Sequence, residues 1–187
     1  MNPLLLDFPT MFQTKRLQIR KPFPGDGTEL YEVYQQSKED IDLWITYGTT
    51  IQSEDQAEVE VREAHAKFLL RKQLRFHLYV KEDSTFIGSI TLYPVDWDIR
   101  IFEVSFWLAS SATHKGYMTE ALTGVITFAF EKLQCNRLEI RCDATNEKAK
   151  KLAEHTGFIL EGILHKNCKA LGSDELRNTC IYAKIKE

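Results

Sequence analysis

The stretch from Ser110 to Phe130, SSATHKGYMTEALTGVITFAF, sets short polar residues and a glycine directly against the start of an amphipathic helix pattern. The first backbone N–H groups of a helix have no intrahelical acceptor, and together with the helix dipole they form a site for an anion such as phosphate. His114 and Lys115 would add polar and cationic side chains there. Gly116 would let backbone approach a ligand closely, and Tyr117 and Met118 begin the helix. Taken alone, Gly116 reads as an ordinary turn and Lys115 as a solvated residue. A strand before and a helix after favour the anion site.

A second kind of chemistry is available just upstream. In FEVSFWL, Glu103, Ser105 and Trp107 share one face of a strand, and Val104, Phe106 and Leu108 the other. A carboxylate at Glu103 can take a proton from an amine through water, as a general base does. The bland alternative is a glutamate on the wet face of a strand. Asn146 opens another helix, where Asn is an ordinary N-cap. His65, His77, His114, His155 and His165 lack metal-ligand spacing, so no metal site is expected. Cys135, Cys142, Cys168 and Cys180 form no C-x-x-C pair and read as reduced thiols.

These residues need a scaffold, and the periodicity supplies one. Arg16 to Lys21 reads as a strand, followed by a Pro- and Gly-marked turn and a helical stretch up to Ser37. Ser53-x-x-Gln56 is a capping box for a helix running to about Lys72. RFHLYVKE, FIGSITLYPV and IRIFEVSFWLAS are three strand runs, joined through KEDSTF and through Asp96-Trp97-Asp98. Leu122, Val125, Ile126, Ala129 and Leu133 recur at helical spacing. RLEIRCDA, then a helix from Asn146 to His155, then GFILEGIL and TCIYAKIK complete the order. The sum predicts an α+β or mixed α/β fold.

Bulk composition narrows the function classes. The chain has 187 residues, 43% of them hydrophobic and 27% charged, with a formal net charge of -3. That balance predicts a single soluble globular domain over residues 1–187, cytoplasmic, with no nucleic-acid surface. The start MNPLLLDFPTMF has no basic leader and its apolar run stops at Asp7, so neither a signal peptide nor a membrane anchor is expected.

The order of elements, the FEVSFWL strand feeding SSATHKGYMTEAL, and CDATNEKAKKLAEHTGFILEG further on resemble the GNAT superfamily of N-acetyltransferases. More narrowly, they are similar to its RimJ/RimL branch, whose namesakes acetylate N-terminal amines of ribosomal proteins. The resemblance implies a mixed, mostly antiparallel sheet with helices on both faces. In the family's numbering this sheet splays between strand four, here FEVSFWL, and strand five, here RLEIRCDA.

The resemblance also implies acetyl-CoA as co-substrate, its pantetheine arm lying along the backbone of Phe106, Trp107 and Leu108. The family's pyrophosphate loop, Q/R-x-x-G-x-G/A, falls on Thr113 to Met118. Only Gly116 matches, but a backbone grip survives side-chain change. Glu103 takes the general-base position, Asn146 that of the asparagine on the pantetheine amide, and Trp44 and Tyr47 lie where the family builds its acceptor wall. Ala149 and Ala153 depart from a serine beside CoA and from a tyrosine acid, and Cys168 aligns with a further catalytic acidic residue.

The reaction implied is direct transfer to a primary amine, foremost a protein or peptide N-terminus such as that of a ribosomal protein. A small-amine enzyme acting on an antibiotic or polyamine, or a non-catalytic acyl-CoA-binding module, are the alternatives. The acceptor's identity and the choice between monomer and homodimer are not legible.

Overall fold

Alternation and helix signals resolve into strands and helices close to the expected ones in the computed structural model, which describes residues 2–45, 51–170 and 172–186. Strands are β1 Met11–Gln13, β2 Leu17–Arg20, β3 Leu74–Val80, β4 Phe86–Asp96, β5 Ile101–Leu108, β6 Arg137–Asp143, β7 Ile159–Lys169 and β8 Leu176–Ile185. Helices are α1 Gly27–Asp42, α2 Glu54–Leu69, α3 Tyr117–Glu131 and α4 Glu147–His155, with a 3₁₀ turn at Ser110–Ala112.

Several boundaries move for local reasons. Helix α1 continues past Ser37, and Lys38 pairs with Asp42 one turn on. Helix α2 stops at Leu69, short of Lys72, because Arg71 takes a left-handed φ of 58°. The Ser53 hydroxyl caps the Gln56 N–H at 3.3 Å, but the Gln56 side chain accepts from Gln52 rather than from Ser53. Strand β1 is an addition, and β7 runs on to Lys169.

The strand order is β1-β2-β3-β4-β5-β6-β8-β7, and all neighbours are antiparallel except β5 and β6. That one parallel ladder holds only Ile101, Phe102 and Glu103 opposite Arg137, Leu138 and Glu139, although both strands continue. The sheet therefore consists of two antiparallel arms, β1–β5 and β6-β8-β7, joined at one end.

Helices α3 and α4 bury Leu122, Val125, Ile126, Ala129 and Ala153 against one face, with Phe76, Ile90, Phe102, Val104 and Leu138. Helices α1 and α2 cover the other with Leu30, Tyr34, Ala57 and Val61, against Tyr79, Phe86 and Trp107. Gly88 is required where β4 crosses β5: a Cβ there would stand 2.3 Å from the Trp107 carbonyl oxygen. No helix among the described residues is long and apolar enough to cross a membrane.

A partly buried charged group sits where α1 begins. Arg20 reaches Asp26 through both terminal nitrogens, at 2.7 and 2.8 Å, and donates to the Tyr79 hydroxyl at 2.7 Å. His77 Nδ1 stands 3.2 Å from Asp26 Oδ2. Burial opposes ionisation of Asp26, but hydrogen bonds from His77, Arg20 and the Phe23 N–H outweigh it and hold the carboxyl well below its usual range. Burial drives His77 the other way, towards its neutral form, so Arg20 is the cation of this group.

Candidate active site

Beyond the 3₁₀ turn the chain takes two left-handed residues, His114 with φ 60° and Gly116 with φ 77°, before α3 starts. Within the described residues, no backbone or side-chain oxygen accepts from the N–H groups of His114 through Thr119. The first loop amide to find an acceptor is that of Glu120, which donates to the Gly116 carbonyl at 3.1 Å. The result is a row of consecutive free amides in a turn of alternating hand, continuous with a helix N-terminus, which is the arrangement that binds phosphate. His114, Lys115 and Gly116 are exposed here, and Tyr117 and Met118 are half-buried with their side chains against the core.

Strand β5 leads into this row, and its hydrogen-bond parity is fixed by one contact. The Ala109 N–H donates to Ile87 at 2.8 Å, towards β4. Alternation then directs Trp107 towards β4 as well, and Val104, Phe106 and Leu108 towards β6. On the β6 side, the Ala144 N–H donates to Asn178 of β8, so Arg141 and Asp143 turn their backbone groups back towards β5. Beyond the last rung, Glu103 opposite Glu139, these groups face one another without pairing. Of the three strand residues named for a ligand's arm, Phe106 and Leu108 turn their backbone groups to the unpaired edge. Trp107 is the exception: its carbonyl lies against Gly88, and its ring packs at 5.8 Å from Phe86.

Glu103 therefore stands where the arms part. It is half-buried, with Arg141 Nε at 3.6 Å from its Oε2. Burial raises its pKa, the Glu139 carboxylate adds to the rise, and Arg141 opposes it. Asn146 caps α4: its Oδ1 accepts from the Ala149 N–H at 3.0 Å, which leaves its side-chain N–H groups to donate elsewhere. Ala149 and Ala153 are both buried.

The last turn of α1 and the β7–β8 hairpin enclose a cleft of about 500 Å³, lined among others by Glu39, Asp42, Trp44, Asp143, Cys168 and Arg177. Trp44 is thus a cleft residue, 39% exposed. Tyr47, the other residue expected in an acceptor wall, lies outside the described residues. Cys168, exposed, sits with Sγ 3.6 Å from Thr179 Oγ1. Sequence reasoning passed over two groups that the fold brings here: Arg16, from the first strand region, whose Nη1 donates to the Lys115 carbonyl at 2.9 Å, and Ser37, whose Oγ accepts from the Ser110 N–H at 3.0 Å. Neither carries a local signal, since each acts on residues far along the chain.

The fold, among the described residues a mixed eight-stranded sheet with four helices, is that of a solved acetyltransferase. Residues 16–159 match the family model described as the acetyltransferase (GNAT) domain, and the chain belongs to that family. A ribosomal-protein-serine acetyltransferase of Escherichia coli (strain K12) is 26% identical over 156 residues, 83% of this chain and 85% of the relative. YdaF of Bacillus subtilis (strain 168), whose provisional name is ribosomal N-acetyltransferase, is 28% identical over 149 residues, 79% of this chain and 80% of its own. Among solved structures, the Microcin C7 self immunity acetyltransferase MccE in complex with acetyl-CoA and AMP superimposes with a TM-score of 0.87. It is 20% identical, covering 96% of this chain and 98% of that one.

Proposed function

We propose that this N-acetyltransferase transfers acetyl from acetyl-CoA directly to a primary amine, foremost the α-amine of a protein or peptide N-terminus. We read residues 1–187 as one such domain, since all eight strands belong to one sheet. The observation that carries the reading is the succession, along one stretch of chain, of two unpaired backbone rows on either side of the paired turn 109–113. The amides of 114–119 suit a diphosphate, and the inward edge of β5 at Phe106 and Leu108 suits an amide-bearing arm laid alongside as an extra strand. Acetyl-CoA has both parts. Asn146 Nδ2 would donate to a carbonyl of that arm from the opposite lip.

With the donor so placed, the thioester lies near the parting of the arms. A backbone N–H of β5 would polarise its carbonyl and stabilise the tetrahedral oxyanion. Glu103, its pKa raised chiefly by burial, would take the ammonium proton through water. The thiolate leaves to solvent, since Ala153 offers no acid. The acceptor would enter by the Trp44 cleft, where Glu39, Asp42 and Asp143 outnumber Lys169 and Arg177.

The α-amine preference follows from proton availability. A peptide α-amine has a pKa near ~8 and a lysine ε-amine near ~10.4, so near neutrality the attacking form is over ~100-fold more abundant for the former. A site with a single carboxylate base should favour that nucleophile. The ribosomal-protein acceptor in the name of the Escherichia coli relative supports the same class. The test is thiol release from acetyl-CoA with paired peptides, one with a free N-terminus and one N-terminally blocked with an internal lysine. Faster release with the free N-terminus is expected. Release only with the lysine peptide, or only with polyamines and aminoglycosides, would overturn the acceptor class and leave the transferase.

A further inference from the structure

Helix α3 carries a carboxylate, Glu120, in the very turn that should receive an anion. Such a residue would ordinarily compete with a phosphate for the helix N-terminus and repel it. Here both of its oxygens are occupied from outside the helix. Oε1 accepts from the Thr14 hydroxyl and the Arg16 backbone N–H, each at 2.6 Å, and Oε2 from Arg16 Nε at 2.6 Å. The Arg16 carbonyl is held in turn by the Lys81 N–H at 2.9 Å, so this residue is fixed through its backbone on both sides.

The rest of the guanidinium faces the free amides. Nη1 donates to the carbonyl of Lys115, the residue just ahead of the Gly116 N-cap, and so ties the guanidinium to the loop whose amides, with those of the helix's first turn, are unpaired. The plane of the group lies over the Tyr117 ring, Cζ 4.5 Å from the centroid. Nη2 stands 3.5 Å from the point where a Gly116 side chain would begin, and no acceptor for it occurs among the described residues. Arg16 thus pairs with the carboxylate in the first turn of α3, ties itself to the Lys115 carbonyl, and keeps a fixed cation with spare donors on the exposed side.

We propose that Arg16 is a positioning residue for the donor diphosphate, bracing the 114–119 row against Glu120 and setting a guanidinium beside Gly116. The proposal rests on reading that row as the diphosphate site. It requires no identified acceptor, so binding alone can test it.

Dissociation constants for coenzyme A and for pantetheine, which lacks the diphosphate and nucleotide, would be measured by calorimetry and by competition. The proteins are the wild type, Arg16→Ala and Arg16→Gln, the last keeping a donor but losing charge. Loss of charge-assisted bonds should weaken coenzyme A binding roughly ten- to a hundredfold in Arg16→Ala and less in Arg16→Gln. Pantetheine binding should stay within about threefold. A purely structural role would weaken both ligands alike, and that result, or unchanged coenzyme A affinity, overturns the proposal. If Arg16→Ala does not fold, Arg16→Gln gives the same ligand contrast. Wild-type protein binding coenzyme A no more tightly than pantetheine would instead refute the diphosphate reading itself.

Discussion

The two arms of the sheet are built on opposite terms. In the β1–β5 arm, β3 is buried over almost its whole length and helices cover both faces, so its charged group sets the partly buried Arg20 and Asp26 against the buried His77 and Tyr79. In the β6-β8-β7 arm, nearly every residue of β7 is exposed, and the Glu161 that pairs with Arg137 is an exposed β7 residue. The difference teaches where stability and chemistry reside. One arm is a buried wall, and the proposed site lies along the seam where the more exposed arm departs from it after three rungs.

The sharpest way to break this comparison is to cut one ion pair in each arm. Asp26→Ala strands the partly buried Arg20 and removes a partner of buried His77, and should cost roughly 3 kcal/mol, read from denaturant unfolding. Glu161→Ala, breaking an exposed pair, should cost under about 1 kcal/mol. Equal losses would erase the distinction between the arms. Acid should act on the same wall. Asp26 has a lowered pKa in the fold, so its contribution is present above the unfolded value and fades as pH falls through the folded one. His77, held neutral by burial, has the same sign: its contribution is lost as pH falls below the unfolded imidazole value.

Glu103, at the seam, should behave in the contrary sense. Its raised pKa means that its contribution to stability is present below the unfolded value and lost as pH rises through the folded one. Glu103→Gln is therefore expected to be no less stable than wild type at neutral pH. Turnover should nevertheless drop roughly ten- to a thousandfold, with coenzyme A affinity nearly intact. The acid limb of the kcat/KM profile, lying above the ordinary glutamate range, should vanish with it. Turnover like that of wild type would make Glu103 a bystander on the strand.

Much of this organisation was legible because it is local. Period-2 runs located seven of the eight strands, the stripe from Leu122 to Leu133 located α3, and Asn146 marked the start of α4. Strand β1 escaped because three residues carry too little alternation to register, and its pairing is decided by β2. The direction of Trp107 depends on hydrogen-bond parity with β4, which side-chain alternation alone does not fix. Arg16 and Ser37 are invisible for a related reason: their partners lie 99 and 73 residues away, a distance only the closed sheet bridges. Cys168 shows the limit in reverse, since the fold places it in the cleft wall while nothing in its sequence surroundings announces a pocket.

The central claim is that the seam and the 114–119 row form one continuous acetyl-CoA slot. Amide hydrogen exchange with and without coenzyme A measures it directly, because a bound ligand must cover both rows of free N–H groups at once. The account predicts slowed exchange over Val104–Leu108 and over His114–Thr119 together, with the solvent-facing β7 unchanged. Gly116→Val, which places a β-branched residue at a φ of 77°, should lose both effects. Protection confined to one row, to neither, or retained in full by Gly116→Val would contradict it.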